Sequence, residues 1–173
     1  MKITYYAAAS IDGYIARSDG SIDWLDPFHQ SNQDYGYAAF YDSVDALVMG
    51  RTTYEQIRGF GDWPYSGKPA LVLTSRLLIG EHIAIKFVTT VDQLVAELNQ
   101  SGYNHIWLVG GGKTAAAFLR AGLIDELTVS YIPVALGTGI PLFAEQAAEM
   151  EMEIIASEVY PDGVVQITYR IKS

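Results

Sequence analysis

The amino-acid sequence predicts an α/β or α+β domain built on a mixed, mostly parallel sheet, and three observations carry that reading. Short apolar runs recur at 46–49, 70–73, 85–88 and 106–109, each bounded by glycine or turn residues, as strands buried on both faces are. Stretches with helical spacing separate several of these runs, the arrangement that produces parallel strand neighbours. The end of the chain instead alternates polar and apolar residues over 151–159 and 164–171 around Pro161-Asp162-Gly163, the pattern of an antiparallel hairpin. No internal repeat, linker or low-complexity segment interrupts the chain, so residues 1–173 are expected to form one domain.

Taken in order, residues 2–9 are β-prone and apolar and are expected to make a central strand. A long connection over 10–25 follows, with two Asp-Gly pairs and apolar residues that suit a lid over a ligand. Residues 32–41 have helical spacing that lays tyrosines on one face, and strand 46–49 then runs into a helix over 50–57. Strand 70–73 ends in Thr74-Ser75-Arg76, and strand 85–88 leads to a helix over 91–99 with Thr90 as its N-cap and Gly102 just past its end. Strand 106–109 opens through Gly110-Gly111-Gly112 into an alanine-rich helix, strand 127–134 follows, and 135–143 is a glycine-rich loop.

Composition narrows the function. Hydrophobic residues make up 50% of the chain and charged ones 18%, a balance that favours a compact globular protein. No apolar run is as long as a membrane span, and Met1-Lys2-Ile3-Thr4-Tyr5 reads as a first strand and not as a signal peptide, so a cytoplasmic protein with no membrane partner is expected. The absence of cysteine removes thiol nucleophiles and thiolate metal sites, and His29, His82 and His105 have no metal-ligand spacing. A net charge of −9 argues against a nucleic-acid partner, which would need clustered cations. A small anion needs only a few local donors.

Three strand ends have that chemistry: Gly50-Arg51-Thr52-Thr53, Thr74-Ser75-Arg76 and Gly110-Gly111-Gly112-Lys113-Thr114. Glycines let the backbone approach a ligand, and a helix start turns unpaired N–H groups and a positive dipole end towards it. The last turn is not a kinase-type phosphate loop, because Trp107 stands where that loop needs glycine. It also departs from the dinucleotide pattern, with Ala115 at the third glycine and a position far along the chain. Three such turns on parallel strands would share one sheet edge and could hold the phosphates of a dinucleotide. Arg51 and Arg76, with Ser75, favour NADPH over NADH, since guanidinium groups fork onto a phosphate monoester. No activated nucleophile is evident, so acyl transfer is disfavoured and hydride transfer fits, with Asp12, Asp34 or water as the proton source. A non-catalytic nucleotide-binding module and a transferase acting on a phosphorylated nucleotide are the alternatives.

These pieces resemble the dihydrofolate reductase-like superfamily, and in particular its branch containing the reductase domain of bacterial riboflavin biosynthesis. The matching segments are Ser10-Ile11-Asp12-Gly13-Tyr14-Ile15-Ala16, Val48-Met49-Gly50-Arg51-Thr52-Thr53-Tyr54, Val72-Leu73-Thr74-Ser75-Arg76, Val109-Gly110-Gly111-Gly112 and Leu136-Gly137-Thr138-Gly139-Ile140-Pro141-Leu142-Phe143, in the family's order. The resemblance implies a three-layer fold with helices flanking the sheet, and an NADPH-dependent reductase acting on a pterin-, pyrimidine- or flavin-precursor-like heterocycle. It implies that Gly50, Arg51, Thr52 and Thr53 hold the diphosphate and 2′-phosphate region, Thr74, Ser75 and Arg76 the adenosine side, and Gly110, Gly111, Gly112, Lys113 and Thr114 the diphosphate, with Val109 and Thr138 also against the cofactor. Ala8, Ile15 and Ala16 would border the nicotinamide, with Tyr35 and Tyr37 beside the substrate. A cis peptide within the glycine turn and a homodimer are also implied. Dihydrofolate reductases carry a pterin-holding carboxylate on the first helix; the corresponding place here falls near Gly36, so the resemblance does not carry folate reduction.

Overall fold

The computed structural model describes residues 1–76, 84–144 and 149–172, so His82 lies outside the described residues. The chain begins with β1 (Lys2–Ser10) and β2 (Tyr14–Ala16), then a 3-10 turn over Asp23–Leu25 leads to α1 (Asp26–His29) and α2 (Tyr37–Ser43). It continues through β3 (Ala46–Gly50), α3 (Arg51–Gly59), β4 (Ala70–Leu73), β5 (Ile85–Val88), α4 (Val91–Ser101), β6 (His105–Gly110) and α5 (Gly112–Arg120). It closes with β7 (Glu126–Ile132), β8 (Ile140–Pro141), β9 (Met152–Val159) and β10 (Val165–Ile171).

The main sheet has the order β5-β4-β3-β6-β1-β7-β10-β9. Pairing is parallel from β5 across to β7, and β10 lies antiparallel between β7 and β9, which makes the expected mixed sheet with a terminal hairpin. On one face Tyr5, Val48, Leu108 and Val129 pack with Leu94 and Leu98 of α4 and Phe118 of α5. On the other, Leu47, Met49, Val72 and Trp107 pack with Phe40 and Tyr41 of α2 and Tyr54 and Ile57 of α3. Apolar side chains on both faces of the parallel strands explain why these runs are continuously hydrophobic and not alternating.

Three expectations needed adjustment. The helix expected over 32–41 begins at Tyr37, because Tyr35 and Gly36 have positive φ values of 52° and 73° and Asp34 accepts hydrogen bonds from the N–H groups of Gly36 and Ala38. Strand 127–134 stops at Ile132, before Pro133, which has no N–H to offer a ladder. The connection over 10–25 contains β2, which pairs with β8 in a separate two-stranded ribbon. Thr90 does cap α4, accepting from Gln93 N–H, and Gly102 ends it in the left-handed region.

Backbone crowding separates two glycines that look alike in sequence. A Cβ on Gly112 would run into the carbonyl oxygen of Pro141, whereas one on Gly59 would meet nothing within 4 Å. Gly112→Ala should therefore destabilise the fold by about 1–3 kcal/mol in urea unfolding, while Gly59→Ala, at the end of α3, should leave stability within about 1 kcal/mol of the parent.

Candidate active site

Strands β4, β3, β6, β1 and β7 are consecutive and parallel, so their carboxyl ends share one edge. Two helices start there directly from the strands: Gly50 passes into α3, and Gly110-Gly111, joined by a cis peptide, pass into α5. The two turns interlock. Thr114 Oγ1 fills the space a Cβ on Gly50 would need, and a Cβ on Gly111 would lie 3.2 Å from Thr53 Oγ1. Neither α3 nor α5 has a side-chain cap or an acidic residue in its first turn. By contrast α4, which follows the outer strand β5, has Thr90 as its cap and Asp92 in its first turn. The central helix starts thus leave N–H groups without side-chain caps and positive dipole ends without acidic neighbours in their first turns.

The third turn lies beside them, at the end of β4. Buried Thr74 donates to the carbonyl of Arg76 at 3.2 Å and accepts from its N–H at 3.1 Å, leaving Ser75 and Arg76 exposed. Thr52 and Lys113 are exposed, and Arg51 forms an i,i+4 ion pair with Glu55 at 2.8 Å. Val109 is half-buried against the aromatic face of the sheet.

Two loops cover this edge as one body. Asp12 accepts hydrogen bonds from Ser10 Oγ at 2.6 Å, Leu136 N–H at 3.1 Å and Gly137 N–H at 2.7 Å. Ile11 N–H reaches the carbonyl of Val134 at 3.0 Å, and Leu142 N–H that of Gly13 at 2.8 Å. Ser18 and Thr138 hydroxyls approach to 3.5 Å. Buried Ala16 and half-buried Ile15 lie in β2, whose pairing with β8 completes the fastening. The Ser10 hydroxyl, followed by the backbone N–H groups, holds the exposed Asp12 carboxyl below the ordinary carboxylate range.

The aromatic side of the edge contains residues that the sequence did not single out. Gln166 Nε2 lies 2.9 Å from Ser130 Oγ, 3.0 Å from the Tyr35 carbonyl and 3.2 Å from Tyr6 Oη, and so ties β7, β10 and β1 to the segment before α2. Alternation along β10 could have placed Gln166 on one face, but nothing in a single strand reveals its partners. Tyr35 also joins its hydroxyl to Asp162 and Ser31, and packs edge-on to Tyr160 at 5.0 Å. Tyr37 packs against Trp107 at 5.7 Å, and burial, then Tyr41 and Tyr6, push its hydroxyl up to about 12. Trp24 is buried with Ala8 and Tyr35 around it, and its Nε1–H has no acceptor among the described residues.

A parallel-stranded edge with bare helix starts, a two-loop cover and this strand order defines a member of the dihydrofolate reductase-like superfamily. The chain belongs to the RibD C-terminal domain family, which matches residues 1–166. It is similar to the uncharacterised protein YwjB of Bacillus subtilis (strain 168), 36% identical over 165 residues that cover 94% of each chain. A crystal structure from Shewanella sp. PV-4, assigned provisionally to riboflavin biosynthesis, is 37% identical with a TM-score of 0.90 over 100% of both chains. Dihydrofolate reductase from Enterococcus faecalis, complexed with NADP(H), shares the fold at 18% identity, with a TM-score of 0.71 over 99% of this chain and 97% of that one.

The Asp12 fastening has a pH signature. A lowered carboxyl contributes while it is ionised, and the contribution is lost as pH falls through the lowered value. Protection factors at Leu136 and Gly137 should hold at neutral pH and fall together below the ordinary carboxylate range in amide exchange. In Asp12→Ala they should be low at every pH; unchanged protection would contradict the assignment.

Proposed function

We propose that residues 1–173 act as one NADPH-dependent reductase domain that transfers a hydride to a small pterin-, pyrimidine- or flavin-precursor-like heterocycle. The observation that carries this reading is the pair of interlocked, uncapped helix starts at the centre of the sheet edge. Gly50, Arg51, Thr52, Thr53, Gly110, Gly111, Gly112, Lys113 and Thr114 would hold the phosphates through backbone N–H groups, hydroxyls and cations. Thr74, Ser75 and Arg76 would take the adenosine side, with the exposed Arg76 guanidinium free to fork onto a 2′-phosphate.

NADPH, when bound, supplies the hydride. The chain supplies alignment and exclusion of water. Ala8, Val109, Ile15 and Ala16 offer small or apolar surface for a flat ring, and the loops joined by Asp12, with Thr138 in the second of them, would close over it. Tyr35 and Tyr37 would border the heterocycle. Of the three proton sources considered, Asp12 and Asp34 are both engaged with backbone N–H groups. On this reading both would hold loops in place, and water would carry the proton.

Titration with NADPH and NADH, followed through tryptophan fluorescence, tests the reading: NADPH should bind more tightly, and no response to either at millimolar concentration would remove it. Arg76→Ala should weaken NADPH by about tenfold, the scale of one charge-assisted hydrogen bond, and leave NADH nearly unchanged. An equal loss for both would refute a 2′-phosphate role.

A further inference from the structure

The 11 basic residues are unevenly placed, and none lies between residues 18 and 50 or between 121 and 169. Those two stretches meet around Tyr35, which packs in one cluster with Ile132, Tyr160 and Val164. Arg17, at the border, gives its guanidinium to both Asp23 carboxylate oxygens, at 2.7 and 3.1 Å. Backbone donors are taken on this side as well. Asp34 accepts from Gly36 N–H at 3.1 Å and Ala38 N–H at 3.3 Å, so the start of α2 already carries an anion, unlike those of α3 and α5. Asp162 accepts from the Tyr35 hydroxyl, and Glu158 from the Tyr160 hydroxyl at 3.2 Å. Burial, then Glu158, Tyr6 and Asp34, push the Tyr160 hydroxyl up to about 12, so the field of these acids reaches the aromatic wall.

A neutral acceptor stands in the middle of this setting. Ala8, which the proposed function sets beside the nicotinamide, pairs with Ser130, and Ser130 with Gln166, so the three share one row and one face across β1, β7 and β10. The Tyr35 carbonyl can only accept, which fixes the Gln166 amide with Nε2 towards it at 3.0 Å. Nε2 also lies 2.9 Å from Ser130 Oγ, so the amide cannot turn over without losing both bonds. Gln166 Oε1 is thereby held in one direction, and it accepts nothing from the described residues. Unlike Trp24 Nε1, it is open to solvent. We propose, resting on the reductase reading above, that the substrate is a heterocycle without phosphate or carboxylate, and that Gln166 Oε1 accepts a hydrogen bond from its ring N–H or amino group. An anionic substituent would meet Asp34, Asp162 and Glu158, the last being the cross-strand neighbour of Gln166, with no lysine or arginine of these stretches to answer it.

Uridine, 3-methyluridine and uridine 5′-phosphate separate the two halves of the claim, since the second lacks the ring N–H and the third adds the phosphate. With the protein saturated in NADPH, the side-chain amide signal of Gln166 in nuclear magnetic resonance should move with uridine along a saturating curve. 3-Methyluridine should bind about tenfold more weakly, the scale of one hydrogen bond, and uridine 5′-phosphate at least about tenfold more weakly. In Gln166→Leu the difference between uridine and 3-methyluridine should vanish, which a purely structural role of Gln166 would not produce. In Glu158→Gln the penalty for the phosphate should shrink. Equal or tighter binding of the phosphate, or a methyl penalty that survives in Gln166→Leu, overturns the proposal, as does a Gln166 signal that neither uridine nor free pterin moves. Should the Leu variant not fold, the three probes on the parent protein still decide. Saturation with NADPH is measured first, so failure of the probes alone leaves the reductase reading standing, whereas failure of NADPH to bind removes both.

Discussion

The parallel pairing of β3 with β4 on one side and β6 on the other is the constraint on which the rest of the site depends. It sets two strand-to-helix turns side by side, close enough that Thr114 occupies the Cβ space of Gly50 and Thr53 approaches Gly111. Larger residues at either glycine would push the helices apart. The first N–H groups of α3 and α5 thus begin at neighbouring turns without side-chain caps, an arrangement that is costly unless water or an anion satisfies them.

Backbone donors also resolve an apparent conflict between charge and ligand. The chain has 11 basic and 20 acidic residues, yet the proposed ligand has several phosphates. Donors fixed in two helix starts need no local excess of lysine or arginine, because their dipoles act at close range, whereas acidic residues more than a Debye length away are screened. On the proposed reading, cations would refine selectivity at the rim, where Arg76 and Lys113 are exposed. The covering loops follow the same logic, since Asp12 uses its charge on backbone N–H groups and thereby joins two segments more than a hundred residues apart in sequence.

Much of this was legible in the sequence because it rests on local patterns. Buried strands showed as apolar runs, the cap of α4 as Thr90, and the convergent turns as glycine followed by helical spacing. The role of Asp12 was not legible: an Asp-Gly turn looks the same whether its carboxylate faces solvent or reaches Leu136 and Gly137. The start of α2 was misplaced because Tyr35 takes a left-handed conformation, and the partners of its carbonyl, Tyr6 and Gln166, lie on strands distant in sequence. Ser130 and Gln166 escaped notice for the same reason. Their meaning lies in the pairing of β7 with β10, which periodicity along one strand cannot reveal.

The most direct test of the central claim is an amide-resolved nuclear magnetic resonance titration with NADPH. If the two helix starts form one anion cradle, the N–H signals of Arg51, Thr52 and Thr53 should move together with those of Gly112, Lys113 and Thr114, along a single saturation curve. Movement of one set alone, or of neither while signals elsewhere respond, would contradict the account.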